Sequence, residues 1–160
     1  MLRTLRGIPG PQDVMSVVRA TPAGALVSAI NAVLFTIGTW NGLGGPVLLG
    51  WCAATLVFCG FVAWRSRQAA RREVSKVTAR GARRLILFSV MLALPWGVLA
   101  LWVLGSGSTF EQLLALMVCA GMSAGATFML HRTLAAALAY YLTILGSVLA
   151  VSLLQNAAEM

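Results

Sequence analysis

Five long apolar blocks dominate this sequence and restrict what it can fold into. They cover residues 23–40, 47–64, 85–104, 113–130 and 134–154. Each holds about 18–21 residues, enough for a helix to cross a hydrocarbon core of about 30 Å. A helix is required there because a bilayer interior offers no water to the backbone N–H and C=O groups. The sequence therefore predicts an all-α fold, a polytopic transmembrane bundle of about five helices.

The overall composition agrees with this prediction. Hydrophobic residues make up 59% of the 160 residues, and charged residues only 10%. A soluble domain usually carries about a quarter charged residues. The chain therefore has too few polar side chains to cover a water-soluble globule.

The blocks divide the chain into an N-terminal segment (1–22), a helical domain (23–154) and a short tail (155–160). The boundary between the fourth and fifth blocks is the least marked, since only residues 131–133 separate them. A re-entrant pair or one bent segment are the alternatives to two spans there. Two spans are preferred because the combined stretch is about twice the length that one crossing needs. A Thr-x-x-Gln pattern from Thr109 to Gln112 predicts the N-terminal cap of the fourth helix.

The distribution of Lys and Arg predicts the orientation in the membrane. The N-terminal segment has three, the basic loop of residues 65–84 has eight, and the turn before the fifth helix has one. These are all twelve in the chain, and the other two loops and the tail have none. With a cytoplasmic N-terminus, five crossings place all twelve on the cytoplasmic side. The expected location is a bacterial inner membrane, with a multi-pass topology.

The basic loop contributes most of the net charge of +8. Its functional interpretation is binding of anionic lipid headgroups or of a cytoplasmic partner. A role in orientation alone is an equally good alternative. Nucleic acid is not an expected partner, because no aromatic side chain is interleaved with the basic ones. The eight residues are Arg65, Arg67, Arg71, Arg72, Lys76, Arg80, Arg83 and Arg84.

Four residues within the blocks predict details of helix packing. Gly121 and Gly125 form a Gly-x-x-x-Gly stripe on which another helix can approach closely. Packing within one bundle is the default interpretation, and a homodimer contact is the alternative. Asn31, a strongly polar side chain deep in a block, is expected to bond another helix. Pro95, at the centre of the third block, predicts a kink, either static or acting as a hinge.

The sequence offers no chemistry typical of an enzyme. It contains no nucleophile–base pair, no metal-ligand cluster and no phosphate-binding glycine loop followed by Lys. We therefore expect no catalytic activity, no cofactor and no metal. The five blocks contain no Asp, Glu, Lys or Arg, which argues against an ion-coupled transporter or a proton pump.

The second half of the chain resembles the N-terminal multi-helix membrane region of proteobacterial diguanylate cyclases and related sensor proteins. The resemblance covers residues 79–154, and the first two helices match only in outline. The similar features are Arg83-Arg84 after a basic loop, Pro95-Trp96-Gly97, Gln112-Leu113-Leu114, Ala120-Gly121-Met122-Ser123-Ala124-Gly125, and Ala135-Ala136-Ala137 with Tyr140-Tyr141.

This resemblance implies a membrane sensory or anchoring module of a signalling protein. It also implies a sixth helix and a cytoplasmic GGDEF output domain, neither of which the sequence contains. A second departure is His131-Arg132-Thr133, where family members usually have a proline. The expectation is the sensory module alone, as a fragment or after loss of the output half. A small structural or assembly membrane protein is the alternative function, and a transporter or channel protomer is a weaker one.

Overall fold

A computed structural model describes residues 10–42, 44–71, 79–130 and 133–158 of the chain. Within these ranges the protein is helical and contains no strand. The five helices are α1 (Pro11–Gly38), α2 (Gly45–Ala70), α3 (Ala79–Ser106), α4 (Thr109–Leu130) and α5 (Leu134–Ala158). Each contains a segment long and apolar enough to cross a membrane. The all-α, five-helix fold class is confirmed, and it is the architecture of a multi-pass membrane protein.

Helix α1 begins twelve residues before the first apolar block. Its start is a cap, in which the backbone N–H of Gly10 donates to a carboxylate oxygen of Asp13 at 3.0 Å. Pro11 follows at the first helical position, where the missing N–H costs nothing. The helix then continues through Pro22. Residues 11–22 of the predicted N-terminal segment are therefore helical and continuous with the first apolar block.

A short turn joins α1 to α2 and makes the two helices antiparallel neighbours. Thr39 ends α1 by donating from both its backbone N–H and its hydroxyl to the Phe35 carbonyl. Gly44 precedes α2 with a φ of 62°, a left-handed conformation in which glycine has no steric penalty. The glycine-rich segment thus forms the tight turn of a helical hairpin.

The bundle consists of two closely packed helix pairs. The most extensive packing is between α1 and α2 and between α3 and α5. Helix α4 contacts α1, α3 and α5, and so joins the two pairs. Helices α4 and α5 are separate elements of 22 and 25 residues. The fourth and fifth blocks thus form two helices, each long enough to cross a bilayer.

Trp96 lies at the centre of the core, with none of its surface exposed. Its indole N–H donates to the hydroxyl of Ser28 on α1 at 3.0 Å. Its ring packs edge-on against that of Trp51 on α2, with 5.6 Å between the centroids. The indole N–H of Trp51 in turn donates to the carbonyl of Pro95 at 3.0 Å. Pro95 and Trp96 therefore tie α3 to both helices of the first pair.

Helix α3 is continuous through Pro95, and a kink at this residue stays a prediction. Asn31 has its partner on another helix, since its amide donates to the sulfur of Met122 on α4 at 3.2 Å.

Gly121 and Gly125 do not form the helix contact expected within the bundle. Both are exposed, and a Cβ atom at either position would meet no atom within 4 Å. The inward face of α4 instead carries Cys119, Met122 and Ala126, and the glycines lie beside this face at the surface of the bundle. The dimer interpretation of the stripe stays a prediction. A close helix approach occurs instead at Gly97 of α3, where a Cβ would lie 2.7 Å from the Ser147 hydroxyl of α5.

The cap of α4 lies one residue earlier than the sequence pattern predicted. The backbone N–H of Ser108 donates to the Glu111 carboxylate at 2.6 Å, and the backbone N–H of Glu111 points back to the Ser108 hydroxyl. Gln112 instead donates to the carbonyls of Leu104 and Gly107. The carboxylate of Glu111 also lies against Gly42, and this contact with the α1–α2 turn favours the observed register.

Candidate ligand cavity and basic cleft

A cavity of about 270 Å³ lies between α1, α3, α4 and α5; we call it the bundle cavity. Each of these helices contributes to its wall. The lining residues are Val17, Ala20, Thr21, Ala23, Gly24, Val27 and Ser28 of α1, Phe88, Ser89 and Leu92 of α3, Gly121, Met122, Gly125, Ala126, Met129 and Leu130 of α4, and Tyr140 of α5. Among these described residues none is charged, so the cavity is suited to a neutral, apolar occupant.

The bundle cavity has an open side and a closed end. Ala23, Val27, Gly121 and Gly125 are exposed and form the opening on the lateral surface, between α1 and α4. In a bilayer this surface faces lipid. The two glycines keep the opening wide because they place no side chain in it.

The buried part of the cavity lining carries four hydroxyl-bearing side chains, those of Thr21, Ser28, Ser89 and Tyr140. The Ser28 hydroxyl accepts from Trp96, and the Ser89 hydroxyl donates to the Leu85 carbonyl at 3.1 Å. The hydroxyl of Tyr140, a residue only 1% exposed, has no hydrogen-bond partner among the described residues. Leaving such a group unpaired in an apolar interior costs about 1–3 kcal/mol.

A second cavity of about 380 Å³ lies between α1, α2 and α3, at the end of the bundle where α1 begins; we call it the basic cleft. Its floor is apolar and includes Val14, Val18 and Leu85. Arg65 of α2 and Arg84 of α3 line it, and both are exposed. An apolar floor with two guanidinium groups at its rim fits a molecule with an acidic head and an apolar body.

The two cavities share a wall. Val17 and Thr21 of α1 and Phe88 of α3 line both of them. A displacement of these side chains by an occupant of the bundle cavity would therefore change the shape of the basic cleft.

The structure brings together only part of the predicted basic site. Arg65 and Arg84 lie at one cleft, whereas Arg67, Arg71 and Arg83 are exposed outside it. Arg80 lies in the first turn of α3. Arg72 and Lys76 lie outside the described residues.

Tyr140 is the candidate site residue that the sequence analysis missed as a functional group. The available signal was a tyrosine within an apolar helix, because its hydroxyl needs a partner once buried. The sequence could not show that this partner is missing.

No group of three His, Cys, Asp or Glu side chains in the described part of the chain is placed to hold a metal ion. The three cysteines, Cys52, Cys59 and Cys119, are buried and unpaired by disulfides.

Comparison with known proteins gives no further assignment: no family model, no curated protein and no solved structure shows a significant match to this chain.

Proposed function

We propose that this chain is the sensory and anchoring membrane module of a bacterial inner-membrane signalling protein, of the diguanylate cyclase type that residues 79–154 resemble. The observation that supports this proposal is the position of the bundle cavity. It lies where the α1–α2 pair meets α4 and the α3–α5 pair. A ligand bound there touches both pairs at once, as a sensor requires.

The mechanism is a change in the relative position of the two helix pairs. A ligand shifts such an equilibrium when it binds one arrangement better than the other. Residues 72–78 connect the end of α2 to the start of α3, and thus one pair to the other. A shift between the pairs moves the two ends of this basic segment, and the shared wall of Val17, Thr21 and Phe88 deforms the basic cleft. Both changes occur at the end of the bundle predicted to be cytoplasmic.

Spin labels on the two pairs test this mechanism. Arg67→Cys on α2 and Arg83→Cys on α3 place labels at exposed positions of different pairs, in a chain with Cys52, Cys59 and Cys119 replaced by alanine. We expect a chloroform–methanol extract of bacterial membranes to change the label separation in nanodiscs by about 1–2 Å, typical of helix shifts in switching proteins. Double electron–electron resonance measures the distance distribution.

A label pair within one helix pair is the matched control. Arg19→Cys and Arg67→Cys both lie on the α1–α2 pair, and their separation should not change. The double variant Gly121→Leu/Gly125→Leu narrows the cavity opening and should abolish the shift. An unchanged Arg67–Arg83 separation with the extract would contradict the sensory function and favour the structural or assembly role.

The anchoring part of the proposal rests on the basic cleft. A hydrogen bond contributes about 1 kcal/mol net, and each guanidinium group at the cleft can donate one to the phosphate of a lipid bound there. We expect the variant Arg65→Gln/Arg84→Gln to bind phosphatidylglycerol about thirtyfold more weakly than the unmodified chain. Native mass spectrometry of the full chain in mixed micelles measures this affinity, and the difference should shrink as salt is added.

The control for the lipid experiment removes the same charge outside the cleft. Arg67→Gln/Arg83→Gln should lower the affinity much less, because neither side chain lines the cleft. Equal losses in the two double variants would show that lipid binding depends on the net charge of this surface and not on the cleft.

A further inference from the structure

The hydroxyl of Tyr140 is the one buried side-chain polar atom without a hydrogen-bond partner in the described part of the chain. The other hydroxyl groups that line the bundle cavity are paired, since Thr21 donates to the Val17 carbonyl at 2.7 Å and Ser28 and Ser89 have the partners given above. Buried polar groups in folded proteins are nearly always paired, and an exception calls for an explanation. Tyr140 is an exception that lines a cavity.

We propose that the bundle cavity binds a neutral lipophilic molecule with a hydrogen-bond acceptor, such as a ketone or ester carbonyl, which accepts from the Tyr140 hydroxyl. This inference rests on the proposed function and names the class of ligand that the sensory site takes. None of the described residues that line the cavity is charged, so none of them would pair with an ionised ligand. A charged group would therefore lose its hydration without compensation.

The route by which a ligand enters the cavity explains why it should carry a hydrogen-bond acceptor and no donor. The opening between α1 and α4 faces the lateral surface, so the ligand enters from the bilayer. A carbonyl brings only an acceptor into hydrocarbon, whereas a hydroxyl or amide also brings a donor that must be desolvated. A phenolic O–H is a donor, and a carbonyl is its matching partner.

The size and flexibility of the cavity suit a small ligand. Its volume of about 270 Å³ lies just below the roughly 300–1,000 Å³ that is typical of ligand pockets. A larger molecule would extend through the opening into the lipid. Met122 and Met129 form part of the wall, and methionine side chains adapt readily to the shape of a neighbour. They can therefore adapt the shape of the wall to a ligand that enters.

Two probes of similar shape test the hydrogen bond. Benzophenone carries a carbonyl, and diphenylmethane has a methylene group in the same place. We expect the full chain in nanodiscs to bind benzophenone about three- to tenfold more tightly than diphenylmethane, as one net hydrogen bond predicts. Binding isotherms corrected for partition into empty nanodiscs measure both affinities.

The variant Tyr140→Phe should remove this preference and leave diphenylmethane binding unchanged. Its thermal stability should equal or exceed that of the unmodified chain, because the hydroxyl that it removes is unpaired. A merely structural role of the hydroxyl would instead lower the stability. A benzophenone preference retained by Tyr140→Phe would overturn the inference.

Glycine variants locate the probe. Gly121→Leu/Gly125→Leu should weaken binding of both probes at least tenfold, while Gly60→Leu/Gly146→Leu should have no effect. All four glycines are in helices, and a Cβ at any of them would meet no atom of the described residues within 4 Å, but only the first two line the cavity. Equal binding by the two double variants would place the probes elsewhere and overturn the inference.

The sensory function and the ligand class can be contradicted independently of each other. Benzophenone binding that depends on Tyr140, without a change in the Arg67–Arg83 separation in the membrane-extract experiment, would contradict the sensory function and support the ligand class. A change in that separation, with no preference for benzophenone over diphenylmethane, would contradict the ligand class and support the sensory function.

Discussion

Alkaline phosphatase fused after Met160 is expected to be active in cells, and green fluorescent protein fused at the same position is expected to be dark. Alkaline phosphatase folds to an active form only in the periplasm, and the fluorescent protein matures only in the cytoplasm. Five crossings that begin in the cytoplasm end in the periplasm. The residues after Arg132 agree with a periplasmic end, because none of them is Lys or Arg.

Fusions after Arg71 are the matched control for this topology. Arg71 directly follows the last residue of α2 and precedes the rest of the basic loop, which the charge count predicts to be cytoplasmic. The fluorescent protein should be bright there and the phosphatase inactive. The same pattern at Met160 would contradict the five-span topology. It would mean that α4 and α5 together do not cross the membrane twice, most simply because one of them is re-entrant or interfacial.

Replacement of Trp96 by alanine is expected to destabilise the bundle by about 3 kcal/mol, the lower end of the range for large aromatic residues in soluble cores. The lower end applies because the free energy of moving an apolar side chain from lipid into protein is small, and packing dominates. Trp96→Ala leaves a void between α1, α2 and α3, and removes both the edge-on contact with Trp51 and the hydrogen bond to Ser28. Reversible unfolding in mixed micelles measures the free energy of unfolding.

Trp64→Ala is the matched control for the packing of Trp96. Trp64 is 55% exposed near the end of α2, and its removal should cost less than about 0.5 kcal/mol, as is usual for surface positions. A third variant, Ser28→Ala, separates packing from hydrogen bonding, because it keeps the Trp96 ring and removes only the acceptor of its N–H. If Trp64→Ala and Trp96→Ala lowered the free energy of unfolding equally, the contacts of Trp96 with Trp51 and Ser28 would not be what holds the two helix pairs together.

The number of helices and the position of the turns could be predicted because they depend on local chemistry. Apolar segments of sufficient length must be helical in a bilayer. These segments are interrupted at three places: by the glycines at 42, 44 and 45, by the basic loop, and by the Gly105–Ser108 stretch. The exact helix starts were less predictable. The cap at Ser108 competes with an equally plausible one at Thr109, and the contact of Glu111 with Gly42 of another turn favours the former.

What the sequence by itself determined is therefore the class of protein, a bundle of five apolar helices. Only the tertiary structure decided which face of each helix lies inside. These helices are apolar on all sides, so their pattern does not distinguish a core face from a lipid face. For this reason Gly121 and Gly125 could be expected in a helix contact, although they border an opening. For the same reason Tyr140 could not be recognised as the residue whose buried hydroxyl lacks a partner among the described residues, because pairing depends on neighbours from other helices.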